Sequence, residues 1–218
     1  MRQRKIKDIE NKLLDYSDLI VEDPKANKGC WRNLFPEREG KLYVEIGCGK
    51  GDFILSSAQQ DPENCFVAIE GFSSVIYRAV SKVRKAQLGN VLFVLEFVYD
   101  ISTWFQDGEV DGIFLNFSDP WPKKKNAKRR LTYRDRLEQY SKILSPHGFL
   151  RIKTDNDDFF DFTLEEIEIS KNKTGFDTVY QTRDLHNSEW SRLSPRTEYE
   201  TKFSEAGKNI NFIELKKI

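Results

Sequence analysis

The chain has 218 residues, with 35 Lys+Arg against 35 Asp+Glu and a formal net charge of +0. A balanced charge excludes molecule-wide attraction to nucleic acid or an anionic membrane, so any polyanion must be met by locally segregated cations. The length suits one α/β domain with decoration.

Cys30, Cys48 and Cys65 are odd in number and widely spaced. They form neither a disulfide framework nor a zinc or redox motif, so the expectation is a metal-free site in a reducing cytoplasm. The N-terminus shows no apolar leader. The most hydrophobic stretch, Val91 to Val98, is short and interrupted by Glu96, so no membrane span is expected. Charge is segregated, with Arg2, Arg4, Lys5 and Lys7 forming one basic group and 123–130 another. Acidic residues gather in 155–168, which reads most simply as a solvated helix face.

Residues 1–28 read as a basic, partly ordered arm with a weak helical pattern at Ile6, Ile9, Leu13 and Leu14, and 29–218 as a single domain. Trp31, Leu34 and Phe35 are candidates to anchor the arm. A first strand is expected over 41–46, followed by the glycine turn 47–51 and a helix from Asp52 towards Gln60. Strand two spans 65–69 and ends on Glu70. The spacing of Val75, Ile76, Ala79, Val80 and Val83 predicts a helix over 73–87, with Gly89 after its end. Strands three and four follow at 91–97 and 112–117. Thr132 is placed to N-cap a helix carrying Leu137, Tyr140, Ile143 and Leu144, stopped by Pro146 and Gly148. Strand five spans 149–152, and an acidic helix then runs to about Ser170. The last strands fall at 176–181 and 211–215, with a short helix opening at Thr197 between them. Seven strands alternating with helices at this spacing predict a mostly parallel sheet covered on both faces.

The turn Gly47-Cys-Gly-Lys-Gly51 matches neither the dinucleotide fingerprint nor the P-loop. Glycines there let a ligand approach the backbone, and the next helix offers N–H groups to an anion. Glu70 stands where nucleotide-binding α/β folds place a ribose acid. S-adenosylmethionine suits these groups, with its carboxylate at the helix, its ammonium near Glu45 and its ribose on Glu70. The bland alternatives are a tight turn without a ligand and a solvated strand end.

At 113–117 a short apolar strand leads into Ser118-Asp-Pro-Trp-Pro122, where two prolines stop both helix and ladder, and then into six basic residues in eight. A carboxylate, a rigid aromatic corner and a cation patch lie within a dozen residues. That suits a polyanionic substrate, although a basic solvated loop would have the same composition.

Glu45-Ile-Gly-Cys-Gly-Lys-Gly51 resembles the cofactor motif of Rossmann-like, class I methyltransferases. Asn116-Phe-Ser-Asp-Pro-Trp-Pro-Lys-Lys124, Lys128 to Thr132, Lys153-Thr-Asp-Asn156, Asp184-Leu-His186 and Thr197-Glu-Tyr-Glu200 together resemble one branch, the bacterial tRNA (guanine-N7)-methyltransferases. The resemblance implies methyl transfer from S-adenosylmethionine to N7 of a guanine in tRNA, in the variable loop. It implies cofactor contacts at Glu45, Gly47, Gly49, Glu70, Phe97 and Asp119, with Asp119 also catalytic. Lys123, Asp155, Thr197, Glu198, Tyr199 and Glu200 would meet the substrate. Two positions depart from the family pattern: Phe97, between Glu96 and Asp100, stands where an acid or amide is usual, and Gly71 where a larger residue is. No obligatory protein partner is evident, and monomer and homodimer both remain open. An exocyclic amino-methyltransferase and a non-catalytic RNA-binding module are the competing readings.

Overall fold

The computed structural model describes residues 6–192, 200 and 207–218. Its strands are β1 (Leu42–Ile46), β2 (Cys65–Ile69), β3 (Val91–Val94), β4 (Val110–Asn116), β5 (Leu144–Thr154), β6 (Phe176–Thr182) and β7 (Asn211–Lys217). They form one sheet in the order β3-β2-β1-β4-β5-β7-β6. All neighbouring pairs are parallel except those made by β7, which runs antiparallel to both β5 and β6.

Helices α1 (Ile9–Leu14), α2 (Asp52–Gln60), α3 (Ser73–Lys85), α4 (Arg134–Ile143) and α5 (Asp157–Thr174) accompany the sheet. The two faces bury separate apolar clusters. One gathers Trp31, Phe105, Leu115, Tyr140 and Ile152, the other Leu13, Ile54, Phe66, Ile76, Val80 and Phe93. The apolar face expected for α3 is buried at all five positions. Among the described residues no helix is long and apolar enough to cross a membrane.

In the second cluster α1 delivers Leu13, and Tyr16 meets Tyr77 edge-on at 5.8 Å. Val21 N–H donates to Phe93 O at 2.8 Å and Ile20 bridges Phe93 in parallel, so this segment covers the open edge of β3. Trp31 is fully buried, stacks on Phe105 at 4.8 Å and donates its indole N–H to Trp104 O at 2.8 Å.

Four sequence expectations are corrected. Strand three ends at Val94, well short of Phe97, and Asp100 closes a tight turn by accepting from Ser102 N–H. Pro146 and Gly148 lie within β5 rather than before it. Six residues from Leu144 to Phe149 oppose three from Val110 to Gly112, and His147 takes φ 65°, so the extra residues bulge out of the ladder. Thr132 does not cap α4; it is buried and its hydroxyl accepts from Thr163 Oγ1 at 2.9 Å, while Tyr133 occupies the cap position with no side-chain bond. The acidic stretch is not wholly solvated, because Glu166 is buried and accepts from Arg134 N, Nε and Nη2 at 2.8–2.9 Å. It thereby satisfies the start of α4 from a neighbouring helix.

Candidate active site

Strand order reverses between β1 and β4, and in an open α/β sheet the crevice outside the strand ends at such a point takes the ligand. Glu45 in β1, the glycine turn that follows it, Glu70 after β2 and Asp119 after β4 lie at the ends of those strands.

Gly47, Gly49 and Gly51 all adopt positive φ, at 80°, 58° and 79°. Gly47 and Cys48 N–H both donate to Ile69 O, which pins the turn to the end of β2. Gly51 has a packing reason to be glycine, because a Cβ there would lie 2.6 Å from Ala79 Cβ. By contrast, among the described residues nothing lies within 4 Å of a Cβ built on Gly47 or Gly49. Those two glycines present bare backbone to open space at the start of α2.

Glu45, the last residue but one of β1, is a buried carboxylate. Asn116 Nδ2 donates to its Oε1 at 2.9 Å, whereas Oε2 is buried without a hydrogen-bond partner among the described residues. Burial pushes its pKa up to about 7, against the opposing hydrogen bond from Asn116 and charge of Lys153. A buried acceptor left unpaired beside open backbone calls for a donor from a ligand. An ammonium group supplies one, so the residues present fit the amino-acid end of S-adenosylmethionine.

Glu70 is held in place by Gly49 N–H, which donates to Oε2 at 3.1 Å, and Phe72 N–H, which donates to Oε1 at 3.0 Å. Burial raises its pKa and the negative charge of Asp119 adds to the rise, so these two acids lie within electrostatic reach of each other.

Asp119 is exposed on the loop that follows β4. Phe117 and Trp121 on either side take positive φ, 53° and 40°, a costly geometry for bulky residues. The surroundings hold it in place. Phe117 N–H donates to Lys153 O at 2.9 Å, and Arg130 donates to Pro120 O at 2.9 Å and Trp121 O at 3.1 Å. The Arg130 guanidinium also lies 4.1 Å from the centre of the Phe162 ring, and that of Arg129 lies 5.0 Å from the centre of the Trp121 ring. The basic run therefore divides by role. Arg130 clamps the proline corner, Arg129 covers its tryptophan, and Lys123, Lys124, Lys125 and Lys128 are exposed. Lys124 to Arg129 coil as a 3-10 helix.

Asp155 accepts from Lys208 at 3.1 Å and does not cap α5; Asn156 does so by accepting from Phe159 N–H at 2.8 Å. Glu200 is buried and accepts from Lys153 Nζ at 2.9 Å. Thr197, Glu198 and Tyr199, and the helix expected there, lie outside the described residues. Phe97 is half-exposed and meets Phe72 edge-on at 5.2 Å. A Cβ on Gly71 would lie 2.4 Å from that same Phe97 ring. The Phe97 ring thus occupies the space that a side chain at Gly71 would take. Asn116, Lys153 and Arg130 were not singled out for these roles from the sequence. All three stand inside the quoted motifs, but nothing in the basic run distinguishes Arg130 from its neighbours.

With β7 reversed and its crevice at the β1–β4 switch point, the chain has the Rossmann-like architecture of class I, S-adenosylmethionine-dependent methyltransferases. A solved structure of an antibiotic-related methyltransferase superposes with a TM-score of 0.64 at 16% identity, over 90% of this chain and 94% of that one. A family model described as "Putative methyltransferase" matches residues 39–213. The tRNA (guanine-N(7)-)-methyltransferase of Halalkalibacterium halodurans is 42% identical over 88% of this chain and 85% of its own. That of Mycoplasmopsis pulmonis is 46% identical over 81% and 85%. The chain belongs to the tRNA (guanine-N(7)-)-methyltransferase family.

Proposed function

We infer that the protein methylates N7 of a guanine in tRNA, with S-adenosylmethionine as donor. The observation that carries the cofactor half is the partnerless Oε2 of Glu45 beside the open glycine backbone; the relatives' names carry the tRNA half. Bound S-adenosylmethionine supplies an electrophilic methyl on a sulfonium centre. Guanine N7 bears a lone pair and no proton, so the residues here need not generate a nucleophile. Their work is alignment, exclusion of water and stabilisation of the charge that reaches the purine.

Asp119 accepts from guanine N1–H and the exocyclic amine in this reading, and Asp155 and residues 197–200 meet the substrate around it. Labelled methyl transfer to unmodified tRNA tests the function. The expected product is one guanosine, in the variable loop, that becomes labile to alkali. Label on an exocyclic amine, or none with the cofactor bound, would reject it.

Lys123, Lys124, Lys125 and Lys128 hold RNA phosphates. Each lost contact lowers the salt dependence of log K by about 0.7–0.9. The double variant Lys124→Glu/Lys128→Glu is therefore expected to weaken tRNA binding and reduce the salt slope by about 1.5. These two positions avoid Arg129 and Arg130, whose replacement would disturb the loop itself. An unchanged slope in anisotropy titrations would remove the lysines from the interface.

Phe97 forms one wall of the adenine site, in the place a side chain at Gly71 would take. Gly71→Leu is expected to push the ring out and weaken cofactor binding several-fold, as Phe97→Ala does. Gly71→Leu/Phe97→Asn, which restores the usual family arrangement, should recover most of the affinity in calorimetry.

A further inference from the structure

Arg130 alone among the cations of 123–130 is half-buried; the others are exposed. Its Nε donates to Pro120 O at 2.9 Å and its Nη2 to Trp121 O at 3.1 Å, so one planar fork bridges two successive carbonyls. The same guanidinium lies 4.1 Å from the centre of the Phe162 ring on α5. Two residues further on, Thr132 accepts from Thr163, the neighbour of Phe162, at 2.9 Å. Residues 130–132 are thus docked on two successive positions of α5. That helix is itself anchored, since it buries Phe159, Phe160, Thr163 and Ile167.

The carbonyls that Arg130 holds follow Asp119 directly. Asp119 is exposed, so packing around its own side chain does not fix it and its place depends on the backbone. That backbone is strained, with positive φ at Phe117 and Trp121, and such geometry persists only where its surroundings over-determine it. One pin is Phe117 N–H on Lys153 O, before the carboxylate; the other is Arg130, after it. We propose that Arg130 is a positioning residue for methyl transfer, which sets the Asp119 carboxylate against the guanine from α5 and holds no RNA phosphate. A guanidinium in a basic run would ordinarily be assigned to phosphate. Here its acceptors are the protein's own carbonyls. The proposal rests on the roles given above to Asp119 and to the exposed lysines.

Arg130→Lys keeps the charge but offers a point donor that cannot bridge both carbonyls. With tRNA and S-adenosylmethionine both saturating, single-turnover transfer by the full chain is expected to fall about 10- to 100-fold. A misplacement of about 1 Å in a group that serves the reaction costs up to that much. Affinity for tRNA by fluorescence anisotropy should stay within about twofold and its salt slope should not change, in contrast to the lysine variants. Phe162→Leu leaves every charge in place and removes the ring beside the guanidinium. It should lower transfer about three- to tenfold in the same pattern. The decisive arm is a double-mutant cycle. In the Asp119→Asn background Arg130→Lys should cost less than about threefold, because it acts through a carboxylate that is no longer there.

Phe162→Leu carries the cycle if Arg130→Lys fails to fold, and its smaller loss should likewise vanish beside Asp119→Asn. Weaker tRNA binding with a salt slope reduced by about one, and normal transfer once tRNA saturates, would make Arg130 a phosphate contact and overturn the proposal. An equal loss in both backgrounds would also overturn it, since a general disturbance of the loop does not need the carboxylate. So would unimpaired transfer in Arg130→Lys. If Asp119→Asn alone transfers at a near-normal rate, the Asp119 role falls and the proposal with it, while methylation of the guanine stands. Wild-type protein that transfers no methyl group to unmodified tRNA would instead strike the proposed function itself, and this proposal with it.

Discussion

Asp119→Asn is expected to lower single-turnover methyl transfer by about 100- to 1,000-fold, the usual cost of removing one preorganised electrostatic partner of a transition state. The amide keeps the shape of the side chain, and Asp119 is exposed, so neither fold nor loop should suffer. What changes is charge. As N7 takes the methyl group the purine becomes cationic, its N1–H and amine become stronger donors, and a carboxylate stabilises them more than an amide can. An amide also turns an N–H donor towards one of those two donors. The affinity for S-adenosylhomocysteine should remain within about threefold, since the proposed cofactor contacts are chiefly Glu45, Glu70 and the glycine backbone. Near-normal transfer in Asp119→Asn would exclude the role. In wild type the transfer step itself should vary little with pH above 7.5, because no group must take a proton from the nucleophile.

The legible parts of this molecule are those whose cause is local. A run of apolar residues at period 3.6 fixed the buried face of α3, and the boundaries of α2 and β2 follow from their flanking turn residues and agree with the observed Asp52–Gln60 and Cys65–Ile69. Glu45, the glycines and Glu70 could be read because strand-end acids and a glycine turn occur close together in the chain. Less legible were the features decided by distant partners. Nothing near Thr132 announces that its hydroxyl will face Thr163 rather than a helix end, 31 residues away in the chain. The placing of Pro146 inside β5 depends on a bulge against β4, and the reversal of β7 on which strands it joins. Arg130 looked like its basic neighbours, yet its guanidinium is spent on two backbone carbonyls that shape the Asp119 loop. The close approach of the Phe97 ring to Gly71 links positions 26 residues apart, so it emerges only once β2 and β3 lie side by side.

Glu45→Gln should weaken S-adenosylhomocysteine binding about 10- to 100-fold at pH 8, the cost of removing a charge-assisted hydrogen bond in a buried site. The pH dependence is the sharper expectation. In the ligand-free fold burial holds the Glu45 pKa at about 7, above its ordinary value of 4.5, while Asn116 and Lys153 pull it down and Glu70 and Asp52 push it up. Pairing with an ammonium requires the ionised form, so below pH 7 binding must release a proton. Affinity should then fall towards tenfold for each further pH unit, whereas in Glu45→Gln it should be nearly flat over the same range. Stability of the ligand-free protein moves the opposite way. Between pH 4.5 and 7 the native carboxyl binds more protons than the unfolded one, so this group's contribution to stability declines as pH rises through that window. The difference in melting temperature between wild type and Glu45→Gln should therefore shift against wild type from pH 5 to pH 7.5. Saturating S-adenosylhomocysteine should reverse that shift, because the ionised carboxylate is then the paired one. Parallel melting curves for the two proteins, with and without ligand, would show that Glu45 stays ionised in the free protein and that its second oxygen is not the ammonium's partner.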